Sequence, residues 1–319
     1  MPKPKKIRRL RQQVQVQGEN PKVLKALTGI RESIVRIYGE ESLAPIYAGE
    51  EVASLLVGKV KNWMPTGVPK LDAVLGRDGQ GLPCGKLLEI FGMESHGKSS
   101  LAYFLLGATQ RLGGIAILLD TELSYDPEWA KMMGVDPDKL IVILPNDESC
   151  VESFFDMIED IVLKARKIMP EGFITVVMDT IYCTLTKEEL DSKSYTDKHR
   201  IGALSRALST NLKALCRFIS NNDVLLIFLN QVRDNIGVMY GDKLKTPGGH
   251  ALLHMCSVRV AVKRMQKFPD GSIQTMIANV KNKVGVAFKR ARVRISPKVG
   301  LAGVEKGESE PETEEVESE

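Results

Sequence analysis

The run Leu87-Leu88-Glu89-Ile90-Phe91 leads into Gly92-Met93-Glu94-Ser95-His96-Gly97-Lys98-Ser99, and the helical stretch SLAYFLLGATQRL follows. A pattern G-x-x-x-x-G-K-[ST] between a strand and a helix is a loop that wraps an anion. Its glycines let backbone N–H groups turn inward, and the helix behind it adds the positive end of its dipole. A chain with this pattern must build a sheet and return a helix across it. Lys98 is then placed to meet the β- and γ-phosphates of a nucleotide and Ser99 a magnesium ion. Gly92, Glu94, Ser95, His96, Gly97 and Ser100 complete the cradle, with His96 as a spacer in the loop.

From Leu87 onward short apolar runs alternate with helical segments: KLLEIFG, a helix from about residue 98, IAILLD, LIVIL, a helix from about 150, FITVVMD, a helix near 200–221, and VLLIFLN. Unbroken apolar runs of this length are strands buried on both faces, so the fold class is α/β with a mostly parallel twisted sheet flanked by helices. SVRVAVKRM, SIQTMIANVKN and FKRARVRIS alternate instead, with Pro269-Asp270-Gly271 as a turn, and predict an antiparallel extension. Before the core, Leu24, Leu27, Ile30, Ile34 and Ile37 have the spacing of an amphipathic helix. The expected organisation is a basic arm (1–20), an N-terminal helix-and-strand appendage (21–62), a larger nucleotide-binding core (63–300) and an acidic tail (301–319).

Composition narrows the class of partner. The chain has a net charge of +4, yet residues 1–11 carry six Lys or Arg and residues 305–319 hold eight Glu against one Lys. Without these ends the body keeps +5, so a polyanionic partner fits it. No run approaches the roughly 18 apolar residues of a membrane span, and no apolar segment follows the basic N-terminus as in an export signal. Cys84, Cys150, Cys183, Cys216 and Cys256 form no C-x-x-C pair and have no His at ligand spacing. Each sits in or beside an apolar segment and reads as a small core residue in a reducing compartment.

FITVVMDT ends in Asp179, a Walker B pattern for the acid that holds the metal. IAILLDTE ends in Asp120 and Glu122, which would emerge at the same sheet edge, where ligands of open α/β sheets gather. A strand-end carboxylate alone is ordinary. Beside a phosphate loop, Glu122 becomes a candidate general base for water.

These residues, read with LNQVRDNIGVMYGDKLKTPGGHALLHMCSVRVAVKR (229–264) and VKNKVGVAFKRARVRIS (280–296), resemble the RecA recombinases of bacteria and their phages. The resemblance runs in order from about residue 22 to residue 300. It implies a RecA-type P-loop core with an N-terminal polymerisation segment. It also implies a single-stranded-DNA-dependent ATPase that uses ATP and Mg²⁺, forms helical filaments, and pairs and exchanges strands with homologous duplex DNA in recombination and repair. A cytoplasmic location follows, the host's cytoplasm for a phage protein.

Residue by residue, Lys98 and Ser99 match the phosphate- and Mg²⁺-binding pair, Glu122 the water-activating glutamate and Asp179 the Walker B acid. Asp126 and Trp129 match the stretch that frames adenine, with Trp129 where a tyrosine is usual. Gln231 matches the glutamine that reports the γ-phosphate to the next loop. That loop, Val232 to Pro247 with Gly248 and Gly249, resembles the family's second DNA-binding loop, and the stretch from Lys187 to Arg200 takes the place of the first. Arg233, Lys243 and Lys245 would face phosphates there, Ile236 and Met239 would wedge between bases, and Gly237 lies between them. Arg206 and Lys213 match backbone-contacting positions on the following helix. Lys281 and Lys283 match lysines that reach a neighbour's nucleotide across a subunit boundary.

The sequence departs from the pattern in two places. His254 stands where an interface phenylalanine is usual, and the usual compact C-terminal domain is expected to be absent. Two other classes share parts of the pattern. A ring-forming motor such as a replicative helicase would be told apart by unwinding and closed rings, and a non-hydrolysing filament accessory protein by the lack of ATP turnover.

Overall fold

Continuously apolar runs in this chain send alternate side chains to opposite sides of one sheet. In the computed structural model, which describes residues 60–192, 202–234 and 244–303, Leu87, Val176, Leu226 and Phe228 join one buried cluster. Their neighbours Leu88, Val177, Leu225, Ile227 and Leu229 join the other, on the opposite side. Each such side chain taken from water contributes roughly 1.5–3 kcal/mol. The chain divides between Lys59 and Val60 into two units, and the second is described below. The helix expected over residues 21–40, the basic arm and residues 304–319 of the expected acidic tail (301–319) lie outside the described residues, while residues 301–303 of that tail are in the last strand of the sheet.

Short strands β1 (Trp63–Met64) and β2 (Leu82–Pro83) pair antiparallel on either side of helix α1 (Pro69–Leu75) in the chain. The main sheet then begins with β3 (Leu87–Gly92), followed by α2 (Lys98–Arg111), β4 (Ile115–Asp120), α3 (Pro127–Met132), β5 (Leu140–Ile143), α4 (Val151–Ile168) and β6 (Ile174–Asp179). It continues through α5 (Lys187–Asp191), α6 (Ala203–Asn221), β7 (Val224–Gln231), the two-residue strands β8 (Arg233–Asp234) and β9 (Leu244–Lys245), and α7 (Gly249–Met255). The last strands are β10 (Val258–Lys267), β11 (Ile273–Asn282), β12 (Arg290–Ser296) and β13 (Gly300–Gly303).

Nine strands form one sheet in the order β13-β12-β11-β10-β3-β7-β6-β4-β5. The six from β10 to β5 run parallel, and β11 to β13 extend the sheet antiparallel. The expected α/β architecture and its antiparallel extension are both present. α4 buries Phe154, Ile158, Val162 and Ala165, and α6 buries Leu208, Leu212, Leu215 and Ile219, so each lays one stripe on the same sheet face. α2 packs on the other face and is buried nearly all round from Ser100 to Thr109.

Parallel pairing fixes where the chemistry gathers. Gly92 lies opposite Gln231 and Asp120 opposite Asp179, so the ends of β3, β7, β4 and β6 share one edge. The chain leaves β3 through α2 and re-enters the sheet at β4, beyond β7 and β6. A crevice at such a crossover is where α/β sheets bind ligands.

Candidate nucleotide site and its neighbouring loops

The phosphate loop owes its shape to two glycines. A Cβ at Gly92 would lie 2.3 Å from the carbonyl oxygen of Val262 on β10, which leaves no room for a side chain. Gly97 has φ +94°, a left-handed conformation that other residues resist, and turns the loop into α2. Asp126 caps α3 by accepting from the N–H groups of Glu128 and Trp129, and Thr186 caps α5 within a capping box with Glu189. α2 has no such side-chain cap, so its first-turn N–H groups remain available to an anion.

Glu94, Ser95, Gly97, Lys98, Ser99, Ser100, Glu122, Asp179, Thr180 and Gln231 line a cleft of about 170 Å³ at this edge. Lys98 Nζ donates to the carbonyl of Met93 at 2.8 Å, across the loop. Ser99 Oγ donates to Asp179 Oδ2 at 2.8 Å. Burial is the main cause that lifts the Asp179 carboxyl to about 6, and the Ser99 hydrogen bond only partly opposes it. Burial likewise lowers the Lys98 ammonium, against the pull of Asp179 and Glu122. A carboxylate beside a serine hydroxyl suits a hard divalent cation, which takes oxygen ligands of this kind.

Glu122 is exposed, and its Oε1 accepts from Gln231 Nε2 at 3.1 Å and from the Cys183 thiol at 3.6 Å. The candidate base and the candidate sensor are thus in direct contact. Trp129 is half-buried and donates its indole N–H to Ser100 Oγ at 3.0 Å, which brings the α3 aromatic to the first turn of α2. His96 turns away from the cleft lining: its Nδ1 lies 3.4 Å from the Val262 carbonyl, and burial lowers its pKa.

Other expected residues lie elsewhere. Lys281 and Lys283, at the end of β11, both donate to the carbonyl of His254 at the last turn of α7, and Lys281 also to that of Leu253. Within one chain they do not line the cleft. His254 is exposed, with its ring 6.3 Å from that of His250. Arg206 pairs with Glu188 of α5 at 2.9 Å, so a DNA phosphate would have to take the place of that carboxylate. Lys213 is exposed on α6. Arg233 and Lys245 are register partners in the β8–β9 pair. Gly248 and Gly249, with φ +101° and +72°, turn the chain into α7, and a Cβ at Gly249 would lie 2.7 Å from Ser205 Oγ. Arg200, Ile236, Gly237, Met239 and Lys243 lie outside the described residues.

One expectation is corrected. Cys84, Cys150 and Cys256 are buried and Cys216 is half-buried, but Cys183 is exposed and belongs to the site edge, not the core. It follows the end of β6 in a single turn of 3-10 helix, Ile181–Cys183, which carries it past the sheet edge toward Glu122. Thr180 was also missed. It follows the Walker B acid directly, and that adjacency was the available signal.

A family model described as the RecA N-terminal domain matches residues 25–302. The chain belongs to the RecA family. It is 30% identical over 275 residues to Protein RecA of Rhodopirellula baltica, covering 85% of this chain and 68% of that one. Protein RecA of Ruminococcus albus is 36% identical over 247 residues, 76% of this chain and 58% of that one. Protein RecA of Mycobacterium ulcerans is 34% identical over 275 residues, 85% of this chain and 74% of that one. As a RecA-family protein the chain is a nucleotide-binding, DNA-dependent ATPase of the recombinase class.

Proposed function

We propose that this chain polymerises on single-stranded DNA with ATP and Mg²⁺, pairs it with homologous duplex DNA and exchanges strands, with hydrolysis loosening the filament. The observation that carries the reading is the meeting of Lys98, the Ser99–Asp179 pair and the Glu122–Gln231 pair at one sheet edge. The loop and the first turn of α2 bind the phosphates through backbone N–H groups, and Lys98 leaves the Met93 carbonyl to meet their charge. Ser99 and Asp179 would hold Mg²⁺, which supplies charge neutralisation on the phosphate oxygens. Glu122 takes the proton of the attacking water at its carboxylate, and Gln231, already bonded to that carboxylate, changes partner as the cleft fills and empties.

Lys281 and Lys283 act across a subunit boundary, consistent with their place away from the cleft of their own chain. The segment 21–62 packs on an adjacent core, and a head-to-tail contact of that kind builds a helical filament. Residues 232–247 and 187–200 contact DNA. Among the described residues no helix is long and apolar enough to cross a membrane, and a cytoplasmic location fits a protein that acts on DNA.

Binding of this sort rests on Lys and Arg displacing counterions, so it reads backbone and not sequence. Titration of a dye-labelled oligothymidine at rising salt is expected to show log affinity falling linearly with log salt, by about 0.7 for each phosphate engaged. An affinity indifferent to salt would contradict the reading.

A further inference from the structure

Glu89 sits in the middle of β3 with 0% of its surface exposed, a costly place for a carboxylate. Both of its oxygens are engaged. Arg259, its register partner on β10, donates Nε to Oε2 at 2.5 Å, and Asn230 of β7 donates Nδ2 to Oε1 at 2.9 Å. Arg259 also lies over the Phe91 ring, 4.7 Å from its centroid.

The same two donors reach further. Arg259 Nη2 donates to Thr246 Oγ1 at 3.2 Å, and Asn230 Nδ2 donates to the Pro247 carbonyl at 2.9 Å. Thr246 and Pro247 are the first residues after β9, where the chain leaves the loop that follows Gln231. Asn230 immediately precedes Gln231, and successive strand residues point to opposite faces. Gln231 therefore faces Glu122 and the cleft while Asn230 grips the loop exit.

A buried ion pair adds little net stability over an apolar pair of like volume. What this one does is tie three pieces of backbone together: the strand that carries the phosphate loop, the strand that ends in Gln231, and the exit of the loop. Asn230 Oδ1 is buried with no hydrogen-bond partner, so its amide is oriented by its two donor bonds alone.

We propose that Asn230 is a positioning residue, and that the Asn230–Glu89–Arg259 bracket passes the movement of Gln231 to Thr246 and Pro247, so that nucleotide in the cleft sets DNA affinity at the loop. This rests on the assignment of residues 232–247 as a DNA-contacting loop.

The test compares affinity for a dye-labelled oligothymidine with ATP and with ADP, in the wild type, Asn230→Ala, Thr246→Val and Thr246→Ser. Coupling between two sites is commonly about 5- to 150-fold, and Asn230→Ala is expected to shrink the ATP-to-ADP affinity ratio about tenfold. Thr246→Val is expected to reduce the same ratio and Thr246→Ser, which keeps the hydroxyl, to restore it. A general loss of packing would weaken both affinities and leave their ratio alone. Should Asn230→Ala fail to fold, the Thr246 pair still decides, because it leaves the buried ion pair in place. Variants with the wild-type ratio would overturn the bracket alone. A wild type whose DNA affinity ignores the nucleotide would sink the loop assignment and the bracket together.

Discussion

Glu122→Gln is expected to lower ATP turnover by about 10²–10⁴-fold, the usual contribution of a positioned general base. The change is nearly isosteric, and the new amide oxygen can still accept from Gln231, so the cleft keeps its shape. In the proposed assignment of roles phosphate binding rests on Lys98 and the loop, not on Glu122, so KM should move little while kcat falls. Steady-state kinetics separate the two parameters. A variant that kept turnover within about tenfold of wild type would remove Glu122 from the role of base and leave it as a partner for Gln231.

Asp179→Asn should produce two opposed effects of comparable size. With Asp179 in its proposed role, loss of the carboxylate would weaken the hold on Mg²⁺, whose charge stabilisation is worth several kcal/mol, so turnover should fall by about 10²–10³-fold. The same change should make the metal-free, nucleotide-free protein more stable. Burial raises the Asp179 carboxyl from 3.8 to about 6 in the folded chain. The native state therefore binds more protons than the unfolded one between those values, and the stability this group contributes falls as pH rises through that window. Below pH 4 the wild type and the Asn variant should melt alike. Above pH 6 the variant should be ahead by about 1–3 kcal/mol, or about 2–4 °C in Tm for each kcal/mol. Thermal melts in a chelator at pH 4 and pH 7.5 check this. An Asn variant less stable than wild type at the higher pH would show that Asp179 carries no unmet charge in the native state.

The central strands β3, β4, β6 and β7 could be read from sequence because each is an apolar run buried on both faces, and this also placed Asp179 and Gln231 at the ends of their strands and Glu122 just past the end of β4. The loop was legible because its glycines answer local demands, such as the left-handed φ of +94° at Gly97. What stayed hidden depends on distant partners. Glu89 reads as a stray charge in LLEIFG, because Asn230 and Arg259 lie 141 and 170 residues away. Cys183 reads as core from its neighbours Ile181 and Tyr182, but β6 has already ended at Asp179 and the next turn brings the thiol out to Glu122. The Glu188–Arg206 pair joins two helices across a segment whose sequence gives no sign of it.

The most direct test of the account is ATP turnover with and without single-stranded DNA, for the wild type beside Lys98→Ala. Turnover in the wild type should rise when DNA is added, and Lys98→Ala should show neither the basal nor the stimulated rate. Turnover that is absent, indifferent to DNA, or retained without the Lys98 ammonium would contradict an ATPase whose cleft and DNA loop are joined through Gln231.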